Sequence, residues 1–204
     1  WVIDPGGGGP GRSPIMVSCH ATKPLSTGEG GILLSSDEDF VEQCRRWTNF
    51  GISGNRRIDM FGINAKLSEY HAAIGLASLD AWDSGFEALR ERLLRYREGL
   101  SGYGYDFAPN VRSGAPTTTF SVVARNDADA AARSLEHQGI MTKQWWGKGV
   151  HRLATYERFQ HTPLPVTEEL GRSVLGIPMG FDLLADDQDR VISALIATVS
   201  EERD

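Results

Sequence analysis

Ser18 to Gly31 reads S-C-H-A-T-K-P-L-S-T-G-E-G-G, with a single lysine, Lys23, between two short apolar runs. Ile15 to Val17 should carry a strand into this stretch and Ile32 to Leu34 a second strand away from it, which puts Lys23 at the tip of a tight loop. A lysine held on a rigid turn, short of bulk solvent, is one that can lose its proton and attack a carbonyl carbon. Ser18 adds a hydroxyl, and Gly28, Gly30 and Gly31 let the backbone come close to a bound anion. A reactive amine beside an anion-holding loop suits pyridoxal phosphate. The plainer reading is a solvated hairpin lysine.

Composition narrows the classes around that stretch. The chain has 204 residues, 40% of them hydrophobic and 24% charged, which is ordinary globular material. Its net charge of −6 argues against nucleic acid as a partner, since such binding needs a basic face that displaces counterions. No apolar run approaches the roughly 20 residues of a membrane span. The two cysteines, Cys19 and Cys44, have no metal-ligand spacing and are too few for a disulfide scaffold, so no metal is expected and a reducing cytoplasm fits. A start at Trp1 with no initiator methionine and no leader reads as a piece of a longer chain.

Taken in order, Val2-Ile3-Asp4 reads as a strand end that delivers a carboxylate just before Pro5 and a run of glycines. Ser36, with Asp39 three residues later, resembles a capping box, and Phe40, Val41, Cys44 and Trp47 recur at helical spacing, with Cys44 and Trp47 expected in the core. Gly51 to Gly62 reads as a loop. Arg56 and Arg57 at its centre suit a phosphate or carboxylate, or else simply solvent. Ser68 should cap a helix entered from Asn64, with interruptions at Gly75 and Gly85. Its small residues Ala72, Ala73, Gly75 and Ala77 would let another helix or a second subunit approach closely.

Composition shifts between Gly99 and Pro116, which divides the chain into residues 1–99 and 100–204. The second part reads as a strand over Thr118 to Arg125, a helix over Asp127 to Gln138 stopped by Gly139, and a strand over Met141 to Trp146. Helices over Pro165 to Leu175 and Asp186 to Glu202 complete a small α/β domain. The stretch from Trp145 to Arg152 sets aromatic and cationic side chains beside two glycines and could line a cleft for a phosphorylated nucleoside sugar. The alternative packs both tryptophans against Phe159 and the last helix.

Ser18 to Gly31 resembles the lysine loop of the DegT/StrS-type sugar aminotransferases. Asn64 to Leu79, N-A-K-L-S-E-Y-H-A-A-I-G-L-A-S-L, resembles that family's next stretch, a turn opening an alanine-rich helix. The resemblance implies an α/β fold: the lysine-bearing end of a fold-type-I large domain, then a small C-terminal α/β domain. It implies pyridoxal 5′-phosphate as cofactor, with Lys23 as the Schiff-base lysine and proton carrier and Asp4 paired to the ring nitrogen. Ser18 is the candidate for a phosphate contact on the same subunit. Asn64 is the candidate across a homodimer interface, with Lys66 as an alternative. The glycine run after Asp4 departs from the family's usual loop. Trp146, Lys148 and His151 are the candidates facing the substrate. The implied reaction moves an amino group from a donor such as glutamate to a keto group of a nucleotide-linked deoxysugar, and retention of Lys23 argues against the family's dehydratase branch. A non-catalytic fragment, or an assembly or regulatory module derived from such an enzyme, is the alternative.

Overall fold

The structure, a computed structural model, describes residues 14–54, 56–124, 127–145, 147 and 149–200. Asp4, Trp146 and Lys148 lie outside the described residues. The chain divides into two compact units, residues 1–84 and 85–204. The composition shift near residue 99 coincides with the end of a long helix, most of which belongs to the second unit.

In the first unit, β1 (Ile15–Ser18) pairs antiparallel with β2 (Gly31–Leu34), with Ile15 opposite Leu34 and Ser18 opposite Gly31. This is the expected frame around Lys23. Helix α1 (Glu38–Trp47) is capped by Asp37, whose carboxylate accepts from the Phe40 N–H at 2.9 Å, and not by the expected Ser36 box. The helix buries no residue; Trp47 is exposed and Cys44 only half-buried, so neither is the core residue its spacing suggested.

Helix α2 (Glu69–Asp80) starts as expected at Ser68, which accepts from the His71 N–H at 3.2 Å. It runs straight through Gly75 and ends at Ala81, and α3 (Trp82–Gly99) in turn contains Gly85. Breaks expected at those two glycines are therefore absent. An interior glycine costs a helix only about 1 kcal/mol relative to alanine, which packing can outweigh. Apolar residues cover most of α2 apart from the side that carries His71, Gly75 and Ser78, yet only Gly75 is buried, and Tyr70 and Leu76 are 77% and 65% exposed. A helix with so much exposed apolar surface is one built to be covered.

The second unit has a proper core. Strands β3 (Asp106–Phe107), β4 (Phe120–Val123) and β5 (Val174–Ile177) form an antiparallel sheet in that order, with Phe120 opposite Ile177. Leu93, Tyr96 and Leu100 come to this core from α3 and its end. Leu135 comes from α5 (Ala128–His137) and Leu195 from α7 (Ala185–Ser200), and all of these side chains are fully buried. A short α4 (Pro109–Arg112) and α6 (Pro165–Ser173) complete the unit.

Asp127 caps α5, and Gly139, at φ +71°, follows it in the left-handed conformation that glycine accepts most readily. Two expectations fail here. Within the Met141 to Trp146 run, the described pairing is a single bridge from Lys143 to Gly176, with hydrogen bonds of 2.8 and 2.7 Å. The helix expected to Leu175 stops at Ser173, because V-L-G-I leaves it directly as β5 to pair with β4. Among the described residues no helix is long and apolar enough to cross a membrane, and no group of three His, Cys, Asp or Glu is placed to hold a metal ion.

Candidate functional site

The Lys23 loop is tied across its base by backbone hydrogen bonds. The Cys19 N–H donates to the Gly30 carbonyl and the Thr27 N–H to the Cys19 carbonyl, each at 2.9 Å. Inside the loop the Lys23 N–H donates to the His20 carbonyl at 2.9 Å, which makes the tight turn. Gly28 and Gly30 take φ of +85° and +146°, conformations that side chains resist. The buried Thr27 hydroxyl lies 2.8 Å from the Glu29 carbonyl and 3.2 Å from that of Cys19. The turn is a built structure rather than a floppy hairpin tip.

Lys23 itself is half-buried, and its amine has no hydrogen-bond or ion-pair partner among the described residues. The neighbouring side chains are occupied with each other. His20 Nδ1 is 3.0 Å from the Thr22 hydroxyl, and its Nε2 is 3.6 Å from Glu29. Ser18, exposed at the end of β1, accepts weakly from the His20 N–H at 3.5 Å and keeps its own hydroxyl proton to donate. This stretch thus carries an amine without a partner among the described residues and, at the end of β1, a hydroxyl donor.

Asn64 sits at the neck of the 50–62 loop. The neck is closed by hydrogen bonds from Phe50 N–H to the Ile63 carbonyl at 3.0 Å and from Ile63 N–H to the Trp47 carbonyl at 2.8 Å, and Asn64 bridges Asn49. Two glycines make the closure possible. A Cβ on Gly51 would lie 1.9 Å from the Met60 carbonyl oxygen, and one on Gly62 would lie 2.1 Å from the Gly51 nitrogen. The exposed Asn64 side chain accepts from Lys66 Nζ at 2.7 Å, which leaves its amide N–H groups as donors. Lys66 also lies 4.5 Å over the Phe50 ring. Arg56 lies exposed on the same loop, at φ +58°.

In the second unit His151 occupies a 3-10 turn over Val150–Arg152, and only 9% of its side chain is exposed. Its Nε2 lies 3.4 Å from Glu168, which also accepts from Arg152. The hydrogen bond from Arg152 first, and that from His151 second, hold the Glu168 carboxyl below the usual glutamate range. A cleft of about 780 Å³ in this unit is lined by Gly147 together with Asp106, Asp127, Asp129, Glu169 and Arg172, and His151 is not on its wall. Its acidic lining is unsuited to a phosphate.

Sequence reasoning missed what the Lys23 loop rests on. The Ser78 hydroxyl donates to the Ser26 carbonyl at 2.7 Å. The Thr27 methyl fills the space above Gly75, where an added Cβ would lie 2.8 Å from it. The small residues of α2 do admit a close neighbour, and at Gly75 that neighbour is the lysine loop.

A half-buried lysine on a cross-tied loop between two antiparallel strands is the candidate site of this chain of helices and sheets. The chain belongs to the DegT/DnrJ/EryC1/StrS aminotransferase family, whose model matches residues 9–196. It is 33% identical over 195 residues to protein Rv3402c of Mycobacterium tuberculosis, covering 92% of this chain and 47% of that protein. It is 30% identical over 194 residues to the dTDP-3-amino-3,4,6-trideoxy-alpha-D-glucose transaminase of Streptomyces venezuelae, covering 92% and 50%. Among solved structures, DesI crystallised in the presence of its TDP-sugar product superposes with a TM-score of 0.82 at 31% identity, over 94% of this chain and 52% of that one. A Bacillus cereus protein classed as a PLP-dependent aminotransferase superposes with a TM-score of 0.82 at 25% identity, over 90% and 51%. The chain spans about half the length of the curated relatives it matches.

Proposed function

We propose that this chain carries the catalytic lysine of a pyridoxal-phosphate-dependent aminotransferase. It would move an amino group from an amino-acid donor, glutamate, to a keto group of a nucleotide-linked deoxysugar. The observation that carries this reading is the half-buried Lys23, whose amine has no partner among the described residues, on a loop fixed by its own hydrogen bonds. The family match and the nucleotide-sugar transaminases among its relatives support the substrate class.

The residues present fit the cofactor. Lys23 offers an amine for the aldehyde, while Ser18 and the Asn64 amide offer the neutral donors that suit a phosphate ester. Asp4 is proposed to face the ring nitrogen. The cofactor, when bound, supplies an electron sink that acidifies the donor's α-carbon. Lys23 Nζ then acts as the base that takes the α-proton and, in the second half of the reaction, as the acid that returns a proton to the sugar carbon being aminated. Trp146, Lys148 and His151 remain the proposed sugar-facing group. Of these, His151 would act from a mostly buried position against Glu168.

The layout we infer is fold-type I, with a homodimer in the cytoplasm and Asn64 of the partner subunit reaching each cofactor. The exposed apolar side chains of α2, Tyr70, Leu76 and Leu79, support an interface there, because so much uncovered apolar surface calls for a partner. The reaction is tested by incubating the intact protein with glutamate and a nucleotide-linked keto-deoxysugar, and following the sugar by mass spectrometry. Conversion of the keto group to an amine, with 2-oxoglutarate formed in equal amount, is the expected result. Absence of both products with any nucleotide-linked keto sugar, from a protein that binds the cofactor, would overturn the substrate class.

A further inference from the structure

We propose that Gly75 and Ser78 of α2, together with Thr27, form a clamp that positions Lys23. The inference rests on Lys23 being the cofactor lysine and adds to it the residues that decide where its amine stands. These are positioning residues, since they act on Lys23 only through the loop that carries it.

Nothing among the described residues holds Lys23 Nζ directly, so its location follows from the backbone of its loop. That backbone is anchored three and four residues after Lys23, at Ser26 and Thr27. The Ser26 carbonyl accepts from Ser78 at 2.7 Å across 52 residues of sequence, in a partly buried setting where a lost hydrogen bond is felt. Thr27 is 6% exposed, and its hydroxyl has the Glu29 carbonyl at 2.8 Å as its nearer acceptor and the Cys19 carbonyl at 3.2 Å, one on each side of the loop base.

Gly75 supplies the space. It sits inside a regular helix, where glycine is unfavourable and no unusual backbone conformation requires it. What requires it is the Thr27 methyl, 2.8 Å from where a Cβ would stand, closer than packed atoms tolerate. One turn earlier on the same face, the His71 ring packs against Gly28. An added Cβ on Gly28 would meet that ring at an ordinary 3.5 Å. His71 is itself held by a 2.7 Å contact from Nδ1 to the Ser68 hydroxyl. Positions 71, 75 and 78 fall at i, i+4 and i+7, one stripe of the helix. The stripe reads as a cradle for residues 26 to 28.

The test uses Gly75→Ala, Thr27→Ser, their combination and Ser78→Ala in the intact protein. Thr27→Ser removes the obstructing methyl and keeps the hydroxyl, so it should make room for the alanine. Three quantities are read: the rate of borohydride trapping of pyridoxal phosphate at Lys23, the pH dependence of Lys23 acylation without cofactor, and hydrogen exchange over residues 19–30. Gly75→Ala should slow trapping on the order of tenfold and speed exchange across the loop, as expected when a reacting group is misplaced by a fraction of an ångström. The double variant should return to within about threefold of the parent. Ser78→Ala should slow trapping and speed exchange as Gly75→Ala does, and decides the matter if Gly75→Ala does not fold.

A double variant no better than Gly75→Ala, or a Ser78→Ala protein unchanged in all three, overturns the clamp. If the parent protein is trapped at a residue other than Lys23, the functional reading fails. Acylation and exchange then still decide whether α2 positions the loop.

Discussion

Phe120→Ala is the substitution that most directly probes how the second unit is held together. Phe120 is fully buried at the first position of the central strand β4, with its ring 4.9 Å from that of Tyr96 and 5.9 Å from that of Phe107. Truncation removes the transfer energy of the ring, leaves a cavity that strand pairing to β5 prevents from collapsing, and forfeits both ring contacts. The expected loss is about 4 kcal/mol, within the range for buried aromatic truncations. With a urea slope of about 2 kcal/mol/M, the unfolding midpoint should fall by about 2 M. Urea titration followed by hydrogen exchange in α7, which packs on the same core, measures this. Leu76→Ala serves as the control in the same chain, because Leu76 is 65% exposed and should move the midpoint little. A Phe120→Ala shift no larger than that of Leu76→Ala would refute the assigned core.

Two further outcomes follow from the ion pair and from the shared site. Glu168 titrates below the usual glutamate range when folded, so the folded state binds fewer protons than the unfolded state just below that range and loses stability as the pH falls through it. Exchange protection over residues 150–170 should drop there, and Glu168→Gln should remove the pH dependence; a dependence that survives the substitution places its source elsewhere. For the shared site, Lys23→Ala and Asn64→Ala homodimers should both be impaired. Subunit exchange between them makes about half the dimers mixed and restores roughly a quarter of all sites. At limiting cofactor, activity that stays at the mean of the two parents after confirmed exchange would remove Asn64 from the partner's site.

Local signals are legible because they are made locally. Ser68 and Gly139 act within a turn of where they stand and do what their chemistry suggests, and Asp127, expected as the first helical residue, is the cap one position earlier. At the start of α1, Ser36 and Asp37 were both able to cap, and the choice went to the carboxylate. Long-range decisions were hidden. V-L-G-I became β5 because β4 offered it a pairing partner about fifty residues back, and Gly75 was tolerated in mid-helix because Thr27 fills its space. Cys44 and Trp47 are spaced for a core that the described part of the first unit does not provide.

The candidate site is legible to the same degree. Lys23 and Ser18 can be nominated because the loop motif is contiguous, and Asn64 because it opens a second motif. The contact of Thr27 with Gly75 and Ser78 is not legible in the sequence, since small side chains on a helix reveal a role only once the loop is seen lying on them.

Every step of the proposed reaction depends on pyridoxal phosphate bonding to Lys23. Reduction of the yellow, cofactor-loaded protein with borohydride, followed by peptide mass spectrometry on the parent and on Lys23→Ala, tests this directly. A single reduced adduct on Lys23 and none in the variant is expected. An adduct on Lys66 or Lys148, or an undiminished adduct in Lys23→Ala, would contradict it.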